Sequence, residues 1–127
     1  MRRDEMRRII DAYITSYNAF DLDGMLKHMH KNIYFQNISG GRVNMTTRGI
    51  SELRAAAEQA KNIFRFRRQS VTNYEFIGDT AKIEIDYEGE LAKDLPDGPR
   101  SGDDLAFHGR SEFVFKEGLI FKLTDIS

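Results

Sequence analysis

Apolar side chains recur at intervals of three and four residues over the first twenty positions, which places them on one face of a helix. This stripe consists of Met6, Ile9, Ile10, Tyr13, Ile14, Tyr17 and Phe20. Polar residues such as Asp4, Arg7 and Arg8 occupy the opposite side. The pattern therefore predicts a first amphipathic helix that covers a core with its apolar face.

Two more helices and one strand are predicted before residue 65. Asp21 is placed to cap a second helix, which is expected to end at Asn32, and a third helix is expected to begin after Gly49. The apolar positions of these two helices are Leu22, Met25, Leu26 and Met29, then Ile50, Leu53, Ala57, Ala60 and Phe64. Between them, residues 33–37 favour a strand, and the two glycines of residues 39–42 indicate a turn.

The second half of the chain changes to a period of two, which is typical of strands. Strands are predicted at residues 66–77, 81–91, 105–115 and 119–126, with hairpin turns at Gly78-Asp79 and Glu117-Gly118. A polar loop at residues 92–104 contains both prolines, and a lid and a tolerated surface excursion both remain open as its role. Helices followed by antiparallel strands predict an α+β fold with one apolar sheet face.

In the strand at residues 81–91 the two faces separate clearly. Ile83, Ile85 and Tyr87 share one side, whereas Lys82, Glu84, Asp86 and Glu88 share the other. The first set is expected to face the helices, and the second is expected to face solvent.

Composition narrows the possible function classes. The 127 residues are interpreted as a single domain, residues 1–127, and the absence of cysteine excludes disulfides, thiol nucleophiles and cysteine metal sites. The net charge of −1 argues against a polyanionic partner. No apolar run has the length of a signal peptide or a membrane span, so a cytoplasmic location without membrane association is expected.

The order of the elements, together with several short segments, resembles the nuclear transport factor 2-like superfamily, in particular its ketosteroid isomerase-like and SnoaL-like branch. The segments are residues 13–24, 33–37, 49–50, 85–89 and 113–120. The resemblance implies a cone-shaped fold in which three N-terminal helices pack on a curved, mainly antiparallel sheet and enclose a pocket. It also implies a homodimer.

Ketosteroid isomerases use a tyrosine on the first helix, an aspartate base at the end of the first strand and a protonated aspartic acid. By resemblance, Tyr13 matches the tyrosine, Asn37 stands at the position of the base and Ser111 at that of the acid. An amide cannot abstract a proton, and loss of a positioned base typically costs about two to four orders of magnitude in rate. A true ketosteroid isomerase is therefore not expected.

Asp125, on the last strand, matches an aspartate of limonene-type epoxide hydrolases and the acid–base aspartate of SnoaL-like polyketide cyclases. The hydrolases also need an arginine and a second aspartate, but the nearest counterparts, Lys82 and Glu84, are expected to point outward. If Gly118 sets the register, Phe121, Leu123 and Asp125 face the pocket. A carboxylate this close to the end of a chain is commonly solvated, so both interpretations of Asp125 stay open.

The resemblance thus implies a pocket for a small, mostly apolar ligand. Its expected catalytic residues are Tyr13, Asn37 and Asp125, and its expected ligand-binding residues are Tyr17, Phe35, Ile85, Tyr87, Ser111, Phe113 and Leu123. Cyclase, isomerase and hydrolase chemistry remain open, and so does a non-catalytic ligand-binding or dimerisation module. Convergence of the three catalytic candidates within hydrogen-bonding reach of one enclosed pocket would favour the enzyme, whereas a pocket filled by Phe and Met side chains would favour the module.

Neither a metal nor a cofactor is expected. His28 and His30 are two residues apart on the predicted second helix, so they face different directions, whereas helical metal sites use a spacing of about four. The interleaved aromatic and basic residues at positions 64–68 are the one feature that suggests nucleic acid, but the neutral composition argues against it. Arg65 and Arg67 are expected on the outer face of a strand, with one of them able to pair with Asp86 or Glu88.

Overall fold

The computed structural model describes residues 1–96 and 98–127. Its elements are α1 (Arg3–Asn18), α2 (Leu22–Leu26), β1 (Met29–Ser39), β2 (Arg42–Arg48), α3 (Gly49–Lys61), β3 (Phe64–Ile77), β4 (Thr80–Leu91), β5 (Asp104–Lys116) and β6 (Leu119–Ile126). The strands form one six-stranded sheet in the order β2-β1-β6-β5-β4-β3. Only the β1–β6 pair of this sheet is parallel, so the prediction of an α+β fold with a mainly antiparallel sheet is confirmed.

Helix α1 buries the predicted stripe against the sheet. Met6 and Ile10 have no exposed surface, and Tyr13 and Ile14 are also buried. The end of the helix is fixed to the edge strand β3 by Asn18. Its side-chain amide donates to the carbonyl oxygen of Gln69 at 3.1 Å, and its oxygen accepts from the Gln69 N–H at 2.8 Å. The inward tyrosines of α1 are thereby held over the sheet.

The second helix is shorter than predicted. Asp21 caps it as expected, because its Oδ1 accepts from the Gly24 N–H at 3.0 Å. The helix nevertheless ends at Leu26, and β1 starts at Met29, which pairs with Ile120 of β6. The expected helix end at Asn32 is therefore wrong, because pairing with β6 draws residues 29–32 into the sheet.

Strand β2 is not among the predicted strands. Val43 and Met45 alternate with polar residues, but both are exposed, and Thr47 is the one buried residue of the strand. It pairs with β1 at the sheet edge after the predicted glycine turn, and a bulge lies between Asn37 and Ile38 of β1. All three helices lie in the first half of the chain, but this hairpin separates α2 from α3.

The strands of the second half are close to their predicted bounds, and the alternation of β4 is confirmed. Ile83, Ile85 and Tyr87 are buried, while the four charged residues between and beside them are exposed. The predicted loop between β4 and β5 is also present, although position 97 lies outside the described residues.

The prediction that Arg67 lies on the outer face of strand β3 is wrong. Bulges at Phe64/Phe66 and at Val71/Asn73 interrupt the alternation, so Arg67 faces the core and is only 3 % exposed. Arg65 stays outside but pairs with Glu90 at 3.0 Å instead of Asp86 or Glu88. Arg68 is the residue that reaches Glu88, at 3.5 Å.

Candidate functional site

A cavity of about 440 Å³ lies between the helices and the inward face of the sheet. Every helix and every strand contributes to its lining. The walls are largely apolar and include Phe35, Leu53, Ala57, Ile85 and Phe107. Its volume is within the range of about 300–1,000 Å³ that is typical of small-molecule sites.

The polar groups of the lining include all three residues that were expected to be catalytic, namely Tyr13, Asn37 and Asp125. Four of the expected ligand-binding residues also line the cavity, namely Tyr17, Phe35, Ile85 and Tyr87. The structure therefore brings these seven side chains to one open space.

The other three expected ligand-binding residues lie behind the lining. Ser111, Phe113 and Leu123 are at most 2 % exposed. The Phe113 ring meets the ring of Tyr13 edge-on, with 6.0 Å between centroids. These residues support the wall, because their surface is already occupied by other core side chains. Phe121, which the Gly118 register placed toward the pocket, packs edge-on against His30 with 5.1 Å between the ring centroids.

Asp125 occupies the middle of the sheet, on β6. The strand register places Asn37 of β1 on one side of it and Ser111 of β5 on the other. The Ser111 hydroxyl donates to Asp125 Oδ1 at 2.7 Å. Asp125 is partly buried, and its free part faces the cavity. The carboxyl group is thus presented to a ligand from a fixed strand and not from a mobile chain end.

Burial raises the pKa of Asp125 from its ordinary 3.8 to about 6, and the hydrogen bond from Ser111 opposes this rise. The cause is loss of hydration, which disfavours the charged carboxylate. At neutral pH the group is mostly ionised, but its protonated form is close in free energy. A carboxyl group with this pKa can both accept and return a proton.

Tyr13 lies on α1 beside the same space. Burial raises its pKa well above the ordinary 10.0, the charge of Asp125 raises it further, and Arg67 opposes the shift. The phenol therefore stays protonated. Within residues 1–96 and 98–127, no protein acceptor is within hydrogen-bonding distance of its hydroxyl, so the hydroxyl is free to donate to a ligand.

Arg67 is a cavity residue that the sequence did not reveal. Its Nε donates to the carbonyl oxygen of Tyr17 at 2.9 Å, and its guanidinium lies 3.7 Å from the centroid of the Tyr17 ring. Next to it, the hydroxyls of Tyr17 and Tyr87 are 2.8 Å apart. Val71, Gln69 and Arg67 share one phase of the alternation, but Tyr74 and Phe76 indicate the opposite phase. Arg67 could have been placed toward the cavity only with knowledge of the bulge between Val71 and Asn73.

The sequence of this chain matches the family model of the SnoaL-like domain over residues 10–123. The chain belongs to the SnoaL-like family. No curated protein matches it significantly.

Several solved structures have the same fold as this SnoaL-like chain. A candidate polyketide cyclase from Xanthomonas campestris pv. campestris is 18% identical with a TM-score of 0.82, and the match covers 98% of this chain and 91% of that one. AclR, a candidate hydroxylase from Streptomyces galilaeus, is 16% identical with a TM-score of 0.78, covering 98% and 89%. TerC, co-crystallised with polyporic acid, is 16% identical with a TM-score of 0.77, covering 96% and 90%. At these identities the likeness establishes the fold alone.

In this SnoaL-like chain, Asn37 is tied to the edge hairpin. Its amide Nδ2 donates to Asn44 Oδ1 at 2.8 Å, and both residues line the cavity. The Asn37 side chain is left with its carbonyl oxygen, which is an acceptor, and with the second N–H of its amide. Asn37 is therefore suited to accept a hydrogen bond from a ligand and not to remove a proton.

The described part of the chain contains no cluster of metal-ligating side chains and no helix that could cross a membrane. Within it, no three His, Cys, Asp or Glu side chains come together as a metal site would require. His30 lies in β1 and not on the predicted helix, and its Nδ1 accepts from the backbone N–H of Asn32 at 3.0 Å. No described helix has the length and apolar character needed to cross a membrane.

Proposed function

We propose that this SnoaL-like protein binds a small, mostly apolar molecule and transfers a proton on it through Asp125. The observation that carries the proposal is the carboxyl group of Asp125, which faces an open cavity and has a pKa raised to about 6. A perturbed carboxyl group in the main concave site is a typical property of an acid–base residue.

The surrounding groups support a specific order of events. The Asp125 carboxylate takes a proton from a carbon next to a ligand carbonyl, and the C–H electron pair moves toward that carbonyl. Tyr13 donates a hydrogen bond to the carbonyl oxygen, which becomes more negative as the enolate forms. The protonated Asp125 then returns the proton, either to the same atom or to another one. Each proton that Asp125 accepts is given back, so the residue ends unchanged.

Asn37 would orient the ligand in this scheme through its carbonyl oxygen. Its place beside Asp125 in the β1–β6 register puts a neutral acceptor where a ketosteroid isomerase would have its base. We therefore assign the proton transfer to β6 and not to β1. Cyclisation and isomerisation share this enolisation step, and a cyclase is consistent with the candidate polyketide cyclase of the same fold.

The open cavity also bears on the non-catalytic alternative. A module without a ligand was expected to fill this space with Phe and Met side chains, whereas the cavity leaves about 440 Å³ free. A ligand carrier would keep the cavity but would not need a titrating carboxyl group. Homodimer formation and a cytoplasmic location remain predictions from the sequence.

Hydrogen exchange at carbon tests the proposal without knowledge of the natural substrate. β-Tetralone is a small apolar ketone with exchangeable hydrogens beside its carbonyl. We expect the protein to accelerate their replacement by deuterium in deuterium oxide, as followed by proton NMR. The rate should rise with pH through about 6 and then level off, because the carboxylate of Asp125 is the base.

A rate equal to that of buffer alone, across this pH range, would contradict proton transfer. Binding of β-tetralone without accelerated exchange would instead favour the ligand carrier. Polyporic acid, which was co-crystallised with TerC, serves as a second binding probe for the same cavity.

A further inference from the structure

Within the described residues, Arg67 is a buried positive charge without a carboxylate partner. It is 3 % exposed, and among residues 1–96 and 98–127 no carboxylate oxygen lies within 4.0 Å of its guanidinium. Its neighbours on the same strand are different, because Arg65 pairs with Glu90 and Arg68 with Glu88. A buried charge is costly to the folded state unless other groups compensate for the lost hydration.

The groups that contact Arg67 are neutral and use only part of its hydrogen-bonding capacity. Nε donates to the Tyr17 carbonyl, and Nη2 lies 3.8 Å from the sulfur of Met25. The rings of Tyr17 and Phe20 lie 3.7 and 4.5 Å from the guanidinium carbon. A guanidinium carries five N–H donors. Within the described part of the chain, Nη1 is left without a protein acceptor, and the side chain lines the cavity.

We propose that Arg67 binds an anionic oxygen of the ligand, so that the substrates of this cavity are apolar weak acids bearing a carboxylate, enolate or phenolate group. This inference rests on the proposed function, because it requires the cavity to be the ligand site. The planar guanidinium matches the two oxygens of a carboxylate in a bidentate arrangement, and one of its N–H groups can donate to the single oxygen of an enolate or phenolate.

The lining around Arg67 suits a planar apolar body attached to that anion. Tyr87 and Phe107 stack with 4.7 Å between their ring centroids, and both line the cavity together with Phe64. The Tyr17–Tyr87 hydroxyl pair supplies a further donor close to the guanidinium. Aromatic walls and clustered donors are what an aromatic or conjugated acid would need.

The sheet order keeps the anion away from the Asp125 carboxylate. Arg67 is on β3 and Asp125 on β6, with β4 and β5 between them. Three strand spacings separate the two backbones by about 14 Å in a flat sheet. A ligand held at one end by Arg67 therefore extends toward Tyr13 and Asp125 without placing two negative charges in contact.

Matched acid and amide probes test this inference. Cinnamate and cinnamamide have the same shape but differ in charge, and benzoate and benzamide form a smaller pair. By isothermal titration calorimetry near neutral pH, we expect the protein to bind each acid about tenfold or more tightly than its amide. Arg67→Met and Arg67→Gln should bring the acid-to-amide ratio close to one. Arg65→Met, which changes an exposed arginine on the same strand, should leave the ratio unchanged.

One readout in the unsubstituted protein does not depend on whether the Arg67 variants fold. The Nε–H resonance of Arg67 should shift on addition of cinnamate and stay in place with cinnamamide. Equal affinities for acid and amide, no binding of either pair, or an unmoved Arg67 resonance would overturn the inference.

The outcomes also separate this inference from proton transfer. An acid preference that Arg67→Met removes, in a protein that does not exchange β-tetralone hydrogens, would leave the Arg67 assignment intact and reject the role of Asp125. Accelerated β-tetralone exchange together with equal affinities for acid and amide would reject only the role of Arg67.

Discussion

Replacement of Asp125 by asparagine is expected to lower the β-tetralone exchange rate by about two to four orders of magnitude, which is the usual contribution of a positioned base. An asparagine amide keeps the shape of the side chain and can still accept the Ser111 hydrogen bond, but it cannot take up a proton. Tyr13 remains in place, so ligand binding should change far less than the rate. Proton NMR of the exchange measures the rate, and calorimetry measures the binding.

Asp104→Asn is the matched control for this variant, because Asp104 is an exposed aspartate at the start of β5. It should exchange β-tetralone at the unchanged rate. If Asp125→Asn retained the full rate, the base would lie elsewhere and the proposed mechanism would be wrong.

Asp125→Asn should also be more stable than the unchanged protein at neutral pH. Folding raises the pKa of Asp125 from 3.8 to about 6, so the folded state binds this proton more strongly than the unfolded state. Between these two values the stability of the unchanged protein therefore falls as the pH rises. Above about pH 6 the full difference amounts to at most about 3 kcal/mol.

Asparagine carries no charge, so the variant does not lose stability through ionisation of a buried carboxyl group. Urea unfolding at about pH 7.5 should therefore show a higher free energy of unfolding for Asp125→Asn, and at about pH 3 the two proteins should converge. A group that contributes to function at the expense of stability is common in active sites. A stability difference that does not vary with pH would show that Asp125 is not buried as the structure has it.

The second large effect is expected from filling the cavity. Ala57 of α3 is buried and lines the space, so a phenylalanine there would occupy volume that a ligand needs. A bound probe would then meet an overpacked site, which costs about 1–3 kcal/mol or roughly ten- to a hundredfold in affinity. We expect cinnamate to bind Ala57→Phe more weakly by this factor, and β-tetralone exchange to fall with it.

Helix α3 provides its own control. Ala55 lies on the exposed side of α3, so Ala55→Phe adds the same ring outside the cavity. Its affinity for cinnamate should stay within twofold or so of the unchanged protein, since surface changes typically have effects within about 0.5 kcal/mol. Equal losses in both variants would place the binding site somewhere other than this cavity.

The elements that the sequence predicted well are those whose core face is long and regular. The stripe of α1 and the alternation of β4 each repeat often enough to identify both the element and its buried side. The resemblance to the SnoaL-like branch, carried by short segments in a fixed order, is confirmed by the family match. Asp125 was named by the same resemblance, although its burial depends on neighbouring strands that its own segment does not encode.

The predictions that were wrong or missing concern features that depend on contacts between distant parts of the chain. Strand β2 is an exposed edge strand whose alternation is limited to Val43, Met45 and Thr47, which is too short to distinguish a strand from a loop. The capped helix α2 stops early because β6 pairs with the residues that follow it. Arg67 was placed on the wrong face because two bulges, at Phe64/Phe66 and Val71/Asn73, interrupt the alternation of β3, and a bulge leaves no clear trace in the sequence.

The partnership of Ser111 with Asp125 could not be read from the sequence either. Resemblance placed Ser111 at the position of an acid, whereas the structure shows its hydroxyl donating to Asp125. The two residues become neighbours only through the β5–β6 register. The pKa of Asp125 depends on this contact and on burial together.

The titration of Asp125 itself tests the central claim most directly. Carbon-13 NMR of the side-chain carboxyl carbon, assigned by comparison with Asp125→Asn, follows the protonation of this one group. The structure predicts a midpoint at about pH 6, well above the ordinary 3.8. A midpoint at or below the ordinary value would mean that the carboxyl group is fully hydrated, and would contradict its assignment as the proton-transfer group of the cavity.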